Sequence, residues 1–258
     1  MFWEVFIFLM IPLLGTTLGS FMVFFLKKEI NPKVQKALLG FASGVMMAAA
    51  VWSLIQPSID TYEKGDYHAW LVPAIGFILG VLFLLLLDYV VPHLHFDKQE
   101  EGIKKTKMSR VFKMMLAVTL HNIPEGLAVG VVIAGALNGN FNMQAMIPLS
   151  IGIAIQNFPE GAVVSMPFKE EGLSKGKSFL LGFISGVVEP IASLLAILLT
   201  FLVTSILPYI LAFAGGVMIY VVVEELIPEA NKGEHSNLAS IGVAIGFVLM
   251  MILDVALG

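Results

Sequence analysis

Cysteine is absent from all 258 residues, which removes disulfides, thiolate ligands and thiol nucleophiles together. Charge is scarce as well: 13% of residues are charged, against about 25% in a soluble domain. Hydrophobic residues make up 58%, and the mean hydropathy is +0.90. A soluble α/β domain needs polar faces and breaks that these apolar runs lack, so the chain reads as an integral membrane protein. The phosphate-binding pattern GxxxxGK[ST] is absent, so ATP does not drive this protein directly. The zinc-hydrolase pattern HExxH is absent too. Nothing points to nucleic acid.

What is present is a series of apolar runs. A helix needs roughly 20 mostly apolar residues to cross the hydrocarbon core. Eight runs qualify, over 2–26, 36–59, 70–92, 110–136, 143–167, 178–204, 207–228 and 238–257. The expected fold is all-α, a single transmembrane domain over 1–258, with 93–109 as a cytoplasmic loop between spans three and four. The first run opens on Glu4 rather than a basic cluster and is followed by Lys27 and Lys28, so it reads as a span and not as a leader. The net charge of −4 says little as a sum, whereas its distribution says more. The loops after spans one, three, five and seven, with their flanks, hold 14 of the 15 basic residues, and Lys64 lies on the other face. Basic loops stay in the cytoplasm, which puts both termini outside a cell membrane.

The chain also repeats itself. Phe41 to Ile55 (FASGVMMAAAVWSLI) matches Phe213 to Ile227 (FAGGVMIYVVVEELI) at eight of fifteen positions. Leu13 to Gly19 (LLGTTLG) echoes Leu180 to Gly186 (LLGFISG), and AIGF occurs at Ala74 to Phe77 and Ala244 to Phe247. Spans one to three thus pair with six to eight in the opposite direction, a 3+2+3 arrangement with spans four and five in the middle. Inverted repeats are a common construction of secondary transporters, with the binding site at the repeat interface. The GxxxG spacings Gly15/Gly19, Gly76/Gly80, Gly126/Gly130, Gly182/Gly186 and Gly242/Gly246 predict close helix packing.

The two middle spans carry near-identical hexamers, HNIPEG (His121 to Gly126) and QNFPEG (Gln156 to Gly161). Residues three and four apart share a helix face. His121, Asn122 and Glu125 therefore stand together, as do Gln156, Asn157 and Glu160, and span six adds Glu189 before Pro190. A charge at the middle of a span costs roughly 2.5–3.5 kcal/mol. Every basic residue falls in a loop or at a span end, so Glu125, Glu160 and Glu189 have no lysine or arginine partner inside the membrane. Either they are protonated or a bound cation neutralises them, and a divalent metal fits well, since carboxylate oxygen, imidazole nitrogen and amide oxygen are its usual ligands. Pro124 and Pro159 free the carbonyls of Leu120 and Ile155 and open space between helices. One hexamer alone is equally a proline kink beside a buried polar pair; two copies with Glu189 favour a metal site.

These features resemble the ZIP (Zrt-, Irt-like protein) family of divalent metal transporters, through the HNxPEG signature, its partner hexamer and the span count, and within it the bacterial GufA-like branch. The resemblance implies His121, Asn122, Glu125, Asn157, Glu160 and Glu189 as metal ligands, often around a binuclear site, with Gln156 at a position where many members have His. It further implies a homodimer, an elevator-type motion of spans one, four, five and six, and uptake into the cytoplasm. The transported substrate is then Zn²⁺ first, with Cd²⁺, Mn²⁺ or Fe²⁺ as further candidates. The oxygen-rich set that Gln156 leaves broadens preference toward Mn²⁺ or Fe²⁺. The metal is cargo, and no cofactor is expected.

Ser53, Gln56 and Asp60, near the outer end of span two, are candidates for an entry path, since a negative mouth concentrates cations. Glu224 and Glu225, near the inner end of span seven, are exit candidates; being adjacent, at most one of them faces the pore. His93, His95 and Asp97 form a candidate loop metal site, weighed against plain solvated histidines. Asp88 and Asp254, at related places in spans three and eight, read as structural. Two other functions compete with transport: an intramembrane metalloenzyme such as a hydrolase, and a metal sensor without flux.

Overall fold

The computed structural model describes residues 2–25, 30–91, 93–94, 100–101, 110–140, 142–202, 204–234 and 236–257. Ten α-helices are seen among them: α1 (Phe2–Phe21), α2 (Pro32–Ala49), α3 (Gln56–Asp60), α4 (His68–Val90), α5 (Arg110–Leu137), α6 (Met146–Glu170), α7 (Lys175–Leu202), α8 (Leu207–Val221), α9 (Ile227–Ala230) and α10 (Leu238–Leu257). A π-helical stretch, Ala50–Ile55, joins α2 to α3, and another, Val222–Leu226, joins α8 to α9. The two π stretches begin at matching positions of the sequence repeat, Ala50 and Val222, so the repeat carries the same local irregularity twice. A two-residue antiparallel pairing, His93–Leu94 with Glu100–Glu101, is the strand structure described.

Seven helical segments are long and apolar enough to cross a membrane. They agree with seven of the eight expected runs, the fourth and eighth almost residue for residue. The expected fifth run corresponds to α6, which has 25 residues but carries Gln156, Asn157 and Glu160 within it and is not among the seven. Local chemistry explains several ends. Asn31 caps α2 by accepting from the Lys33 amide at 2.9 Å, with Pro32 in the first turn. After α6, Gly172 takes φ +89°, and the Leu173 amide reaches back to the Phe168 carbonyl at 3.2 Å, a Schellman-type stop.

The helices associate in four pairs, α1 with α6, α5 with α7, α2 with α10 and α4 with α8. Glycines four apart set each seam. A Cβ at Gly126 or Gly130 would strike the carbonyl of Glu189 or Ser193; at Gly15 or Gly19, that of Ala154 or Phe158. Gly40 and Gly44 meet Ala239 and Val243 in the same way, and Gly76 and Gly80 meet Tyr209 and Phe213. In each case both numbers rise together, so all four pairs are parallel. Backbones approach this closely only where glycine stands, and dispersion and Cα–H···O contacts replace side-chain packing there.

Polarity is arranged inside out. Ile78, Leu79, Leu82, Leu85 and Leu86 of α4 are exposed, as are Leu194, Leu195, Leu198 and Leu199 of α7, whereas His121, Asn122, Glu125, Gln156, Asn157, Glu160 and Glu189 are buried. This is the arrangement a bilayer imposes, with apolar side chains toward lipid and polar ones satisfied within the protein.

Candidate metal site

The two hexamers lie within α5 and α6, each of which runs through its proline without interruption. Helical spacing puts His121 and Glu125 on one face of α5 and Gln156 and Glu160 on one face of α6. The packed helices turn these faces toward each other. His121 Nε2 lies 2.7 Å from Glu160 Oε1, and Gln156 Nε2 donates to Glu125 Oε1 at 2.6 Å. One ligand atom each from His121, Glu125 and Glu160 lie within 4.8 Å of one another. Ligands about 2 Å from a common ion sit about 3–4 Å apart, so this spacing suits one metal after small adjustments.

The surrounding bonds have a direction. Gln156 Nε2 also donates to Asn157 Oδ1 at 3.1 Å, Asn157 Nδ2 donates to Thr16 Oγ1 at 3.1 Å, and Thr16 Oγ1 donates to Glu189 Oε1 at 2.6 Å. Asn122 Nδ2 donates to the Ser185 carbonyl at 3.0 Å, leaving its oxygen for another partner. Glu125 and Glu189 are thus each held by one oxygen. Glu125 Oε2, Glu160 Oε2, Glu189 Oε2 and Gln156 Oε1 are buried without a hydrogen-bond partner, and His121 Nε2, though close to Glu160, makes no directed bond. A buried unsatisfied polar group costs about 1–3 kcal/mol, more when charged. Four orphaned oxygens and an imidazole nitrogen in one buried cluster match what a divalent cation requires.

Glu225, in the π stretch after α8, approaches His121 Nδ1 at 3.2 Å, while its neighbour Glu224 is exposed. Ser53 is buried and donates to Asp254 Oδ1 at 2.5 Å. Both line a pocket of about 290 Å³ with Trp52, Pro57, Val132, Ala145 and Pro148. Gln56 donates to Asp60 at 2.8 Å on the exposed turn beyond, outside that lining. Asp88 is tied to Tyr220, whose hydroxyl donates to it at 3.0 Å. His93 takes part in the short strand pairing, opposite Glu101; His95 and Asp97 lie outside the described residues. The sequence reading passed over Thr16 and gave Asp254 only a structural part. A threonine in an apolar helix carries no spacing signal, and Ser53 and Asp254 stand 201 residues apart.

Apolar helices around a buried set of carboxylates, amides and an imidazole make this a multi-pass membrane protein with a polar, carboxylate-rich core. Comparison with known proteins gives it a family. The family profile described as ZIP Zinc transporter matches residues 97–254. Zinc transporter ZIPB of Bordetella bronchiseptica is 38% identical over 247 residues, covering 95% of this chain and 78% of that protein. Zinc transporter GufA of Myxococcus xanthus is 37% identical over 248 residues, 95% of each chain. Human zinc transporter ZIP11 is 33% identical over 324 aligned positions, 95% of this chain and 94% of its own. The chain belongs to the ZIP zinc transporter family, a family of transporters and not of enzymes, which removes the metallohydrolase reading.

Proposed function

We propose that this chain is a secondary transporter that carries divalent metal cations, Zn²⁺ first, into the cytoplasm through the His121, Asn122, Glu125, Gln156, Asn157, Glu160 and Glu189 cluster. The observation that carries the reading is that cluster: three glutamates, each with an unpartnered oxygen, beside an imidazole and three amides in a buried core. Desolvated carboxylates on three different helices give a metal its ligands and lose their mutual repulsion when it binds. The same proposal extends to a second ion at the cluster, and to Cd²⁺, Mn²⁺ and Fe²⁺ as further substrates for so oxygen-rich a set.

In this reading α6 completes eight spans in a 3+2+3 order with both termini outside. Parallel pairing supports that order, because spans one and five, four and six, two and eight, and three and seven are each an even number of crossings apart. Access alternates. The Ser53–Asp254 pocket is the outer approach, with Gln56 and Asp60 beyond it. The tightly closed side formed by Thr16, Asn122, Asn157, Glu160 and Ser185, with Glu225 near His121, is the inner one. α1, α5, α6 and α7 move together against α2, α4, α8 and α10, in a homodimer.

Reconstitution in liposomes tests this, with a trapped dye reporting entry of Zn²⁺, Cd²⁺ and Mn²⁺. Wild-type protein gives saturable flux, and Glu125→Ala and Glu160→Ala reduce it by 100-fold or more, roughly the effect of losing a charged ligand. Unchanged flux in both variants would remove the cluster from the transport path.

A further inference from the structure

The two hexamer glycines, Gly126 and Gly161, report on the helices packed against them. A Cβ at Gly126 would meet the backbone of Glu189, and one at Gly161 that of Thr16 and Ser20. Ser193 Oγ donates to the Gly126 carbonyl at 2.7 Å, and Ser20 Oγ reaches the Gly161 carbonyl at 3.5 Å. Position by position, α1 stands to α6 as α7 stands to α5, with Thr16 in the place of Glu189 and Ser20 in the place of Ser193. This register lies six residues beyond the LLGTTLG/LLGFISG echo, which pairs Thr16 with Phe183. The two counterparts also meet, through the 2.6 Å bond from Thr16 Oγ1 to Glu189 Oε1.

We propose that Thr16 is a positioning residue of the metal site and a determinant of its metal preference, holding Glu189 through its hydroxyl hydrogen and Asn157 through its lone pair. The inference rests on the transport site proposed above. A hydroxyl has a single hydrogen, and the Glu189 oxygen takes it; the alternative acceptor, the Pro12 carbonyl, is 3.5 Å away. With that hydrogen committed, Asn157 turns its NH₂ to Thr16 and its oxygen to Gln156. The chain Gln156, Asn157, Thr16, Glu189 thereby fixes which oxygen of Glu189 stays free. Thr16 is itself held in place, being buried, with its backbone where a Cβ at Gly161 would fall and its Cβ and Cγ2 only 3.0 Å from where a Cβ at Gly186 would stand. The pseudo-symmetric arrangement thus places a carboxylate on one side and a hydroxyl on the other, and the hydroxyl aims the carboxylate.

The test uses Thr16→Val, which keeps the methyl and loses the hydroxyl, and Thr16→Ser, which does the reverse. Two measurements are made on each: equilibrium Zn²⁺ binding in detergent by calorimetry, and liposome flux for Zn²⁺, Cd²⁺ and Mn²⁺. Thr16→Val is expected to weaken Zn²⁺ binding and raise KM on the order of 10- to 100-fold, to change the Zn²⁺/Mn²⁺ preference, and to lower maximal flux less. Thr16→Ser is expected to stay within about 3-fold of wild type, a change below the worth of one hydrogen bond. Wild-type binding and preference in Thr16→Val would overturn the proposal. So would equal impairment in Thr16→Ser, which would assign the effect to packing on Gly186. If Thr16→Val is not recovered folded, Thr16→Ala takes its place with the same expectations. Glu125→Ala and Glu160→Ala run in parallel. If they abolish flux while Thr16→Val is silent, Thr16 alone falls; if they leave flux intact, the site falls and Thr16 with it.

Discussion

Two sets of helices of similar construction differ in what they bury. α1, α5, α6 and α7 form one set, and α2, α4, α8 and α10, with the short α3 and α9, the other. Both are stitched by glycines against carbonyls. Yet of the 20 buried polar or charged residues among those described, 16 belong to the first set, whereas the second has Ser43, Ser53, Ser58 and Asp88. The same packing rule therefore serves a polar core in one set and an apolar wall in the other. Where they meet, Val132, Leu149 and Ile153 face a cluster that includes Val45, Met46, Leu54 and Met250. That boundary is mostly aliphatic, with the His121–Glu225 contact as a polar tie across it, so the motion proposed above would slide one set on the other with few directional bonds to break. The seams within each set, backbone against backbone, cannot slide without separating.

The sharpest way to break the comparison is to fill a seam. Gly126→Val and Gly44→Val each press a side chain into a backbone carbonyl, of Glu189 and Val243 respectively. Neither neighbour is a flexible side chain, so each substitution should cost about 3 kcal/mol, the upper end of overpacking effects. Thermal unfolding in detergent measures this. The sets should then part: Gly126→Val also displaces Glu189 and weakens Zn²⁺ binding, whereas Gly44→Val destabilises without altering affinity. A smaller effect is expected at Gly152, which faces Met250 across the boundary between sets. A methionine can swing aside, so Gly152→Ala should cost below about 1 kcal/mol yet lower maximal flux several-fold by roughening the sliding surface. Unchanged flux with lowered stability would argue that this boundary does not move.

Much of this was legible in the sequence, for physical reasons. Apolar runs report lipid-crossing length directly, which is why span eight was expected at 238–257 and α10 occupies Leu238–Leu257. The hexamers declared themselves because Asn, Pro and Glu have no place in a lipid-facing helix. Their fixed spacing then put His121 with Glu125 and Gln156 with Glu160. The alternation of neighbouring side chains likewise separated Glu225 from Glu224. What stayed hidden was whatever depends on register between distant helices. Thr16 looked like any small residue in α1, and the LLG echo aligned it with Phe183 because leucine and glycine recur in every span. The π stretches left no mark either, since an extra residue in a helical turn does not alter composition.

The smallest effect concerns the polar tie that crosses from one set to the other, His121 Nδ1 to Glu225 Oε2 at 3.2 Å. Glu225 belongs to the wall but touches the site, and the sequence repeat matches it to Ser53, which lines the other pocket. Equivalent positions of the repeat thus differ in chemistry and in place, a hydroxyl beside Asp254 and a carboxylate beside His121. In the proposed transport cycle a carboxylate beside His121 would offer a departing cation its next oxygen, and a hydroxyl would do so far less. Glu225→Gln keeps the shape and removes the charge. Zn²⁺ affinity measured in detergent should remain within about 3-fold of wild type, because the principal ligands are intact. Maximal flux should fall by roughly 3- to 10-fold, a barrier change of about 0.7–1.4 kcal/mol. If affinity collapses instead, Glu225 is a ligand, and the proposed line between moving site and fixed wall has to be redrawn to include the π stretch of Val222–Leu226.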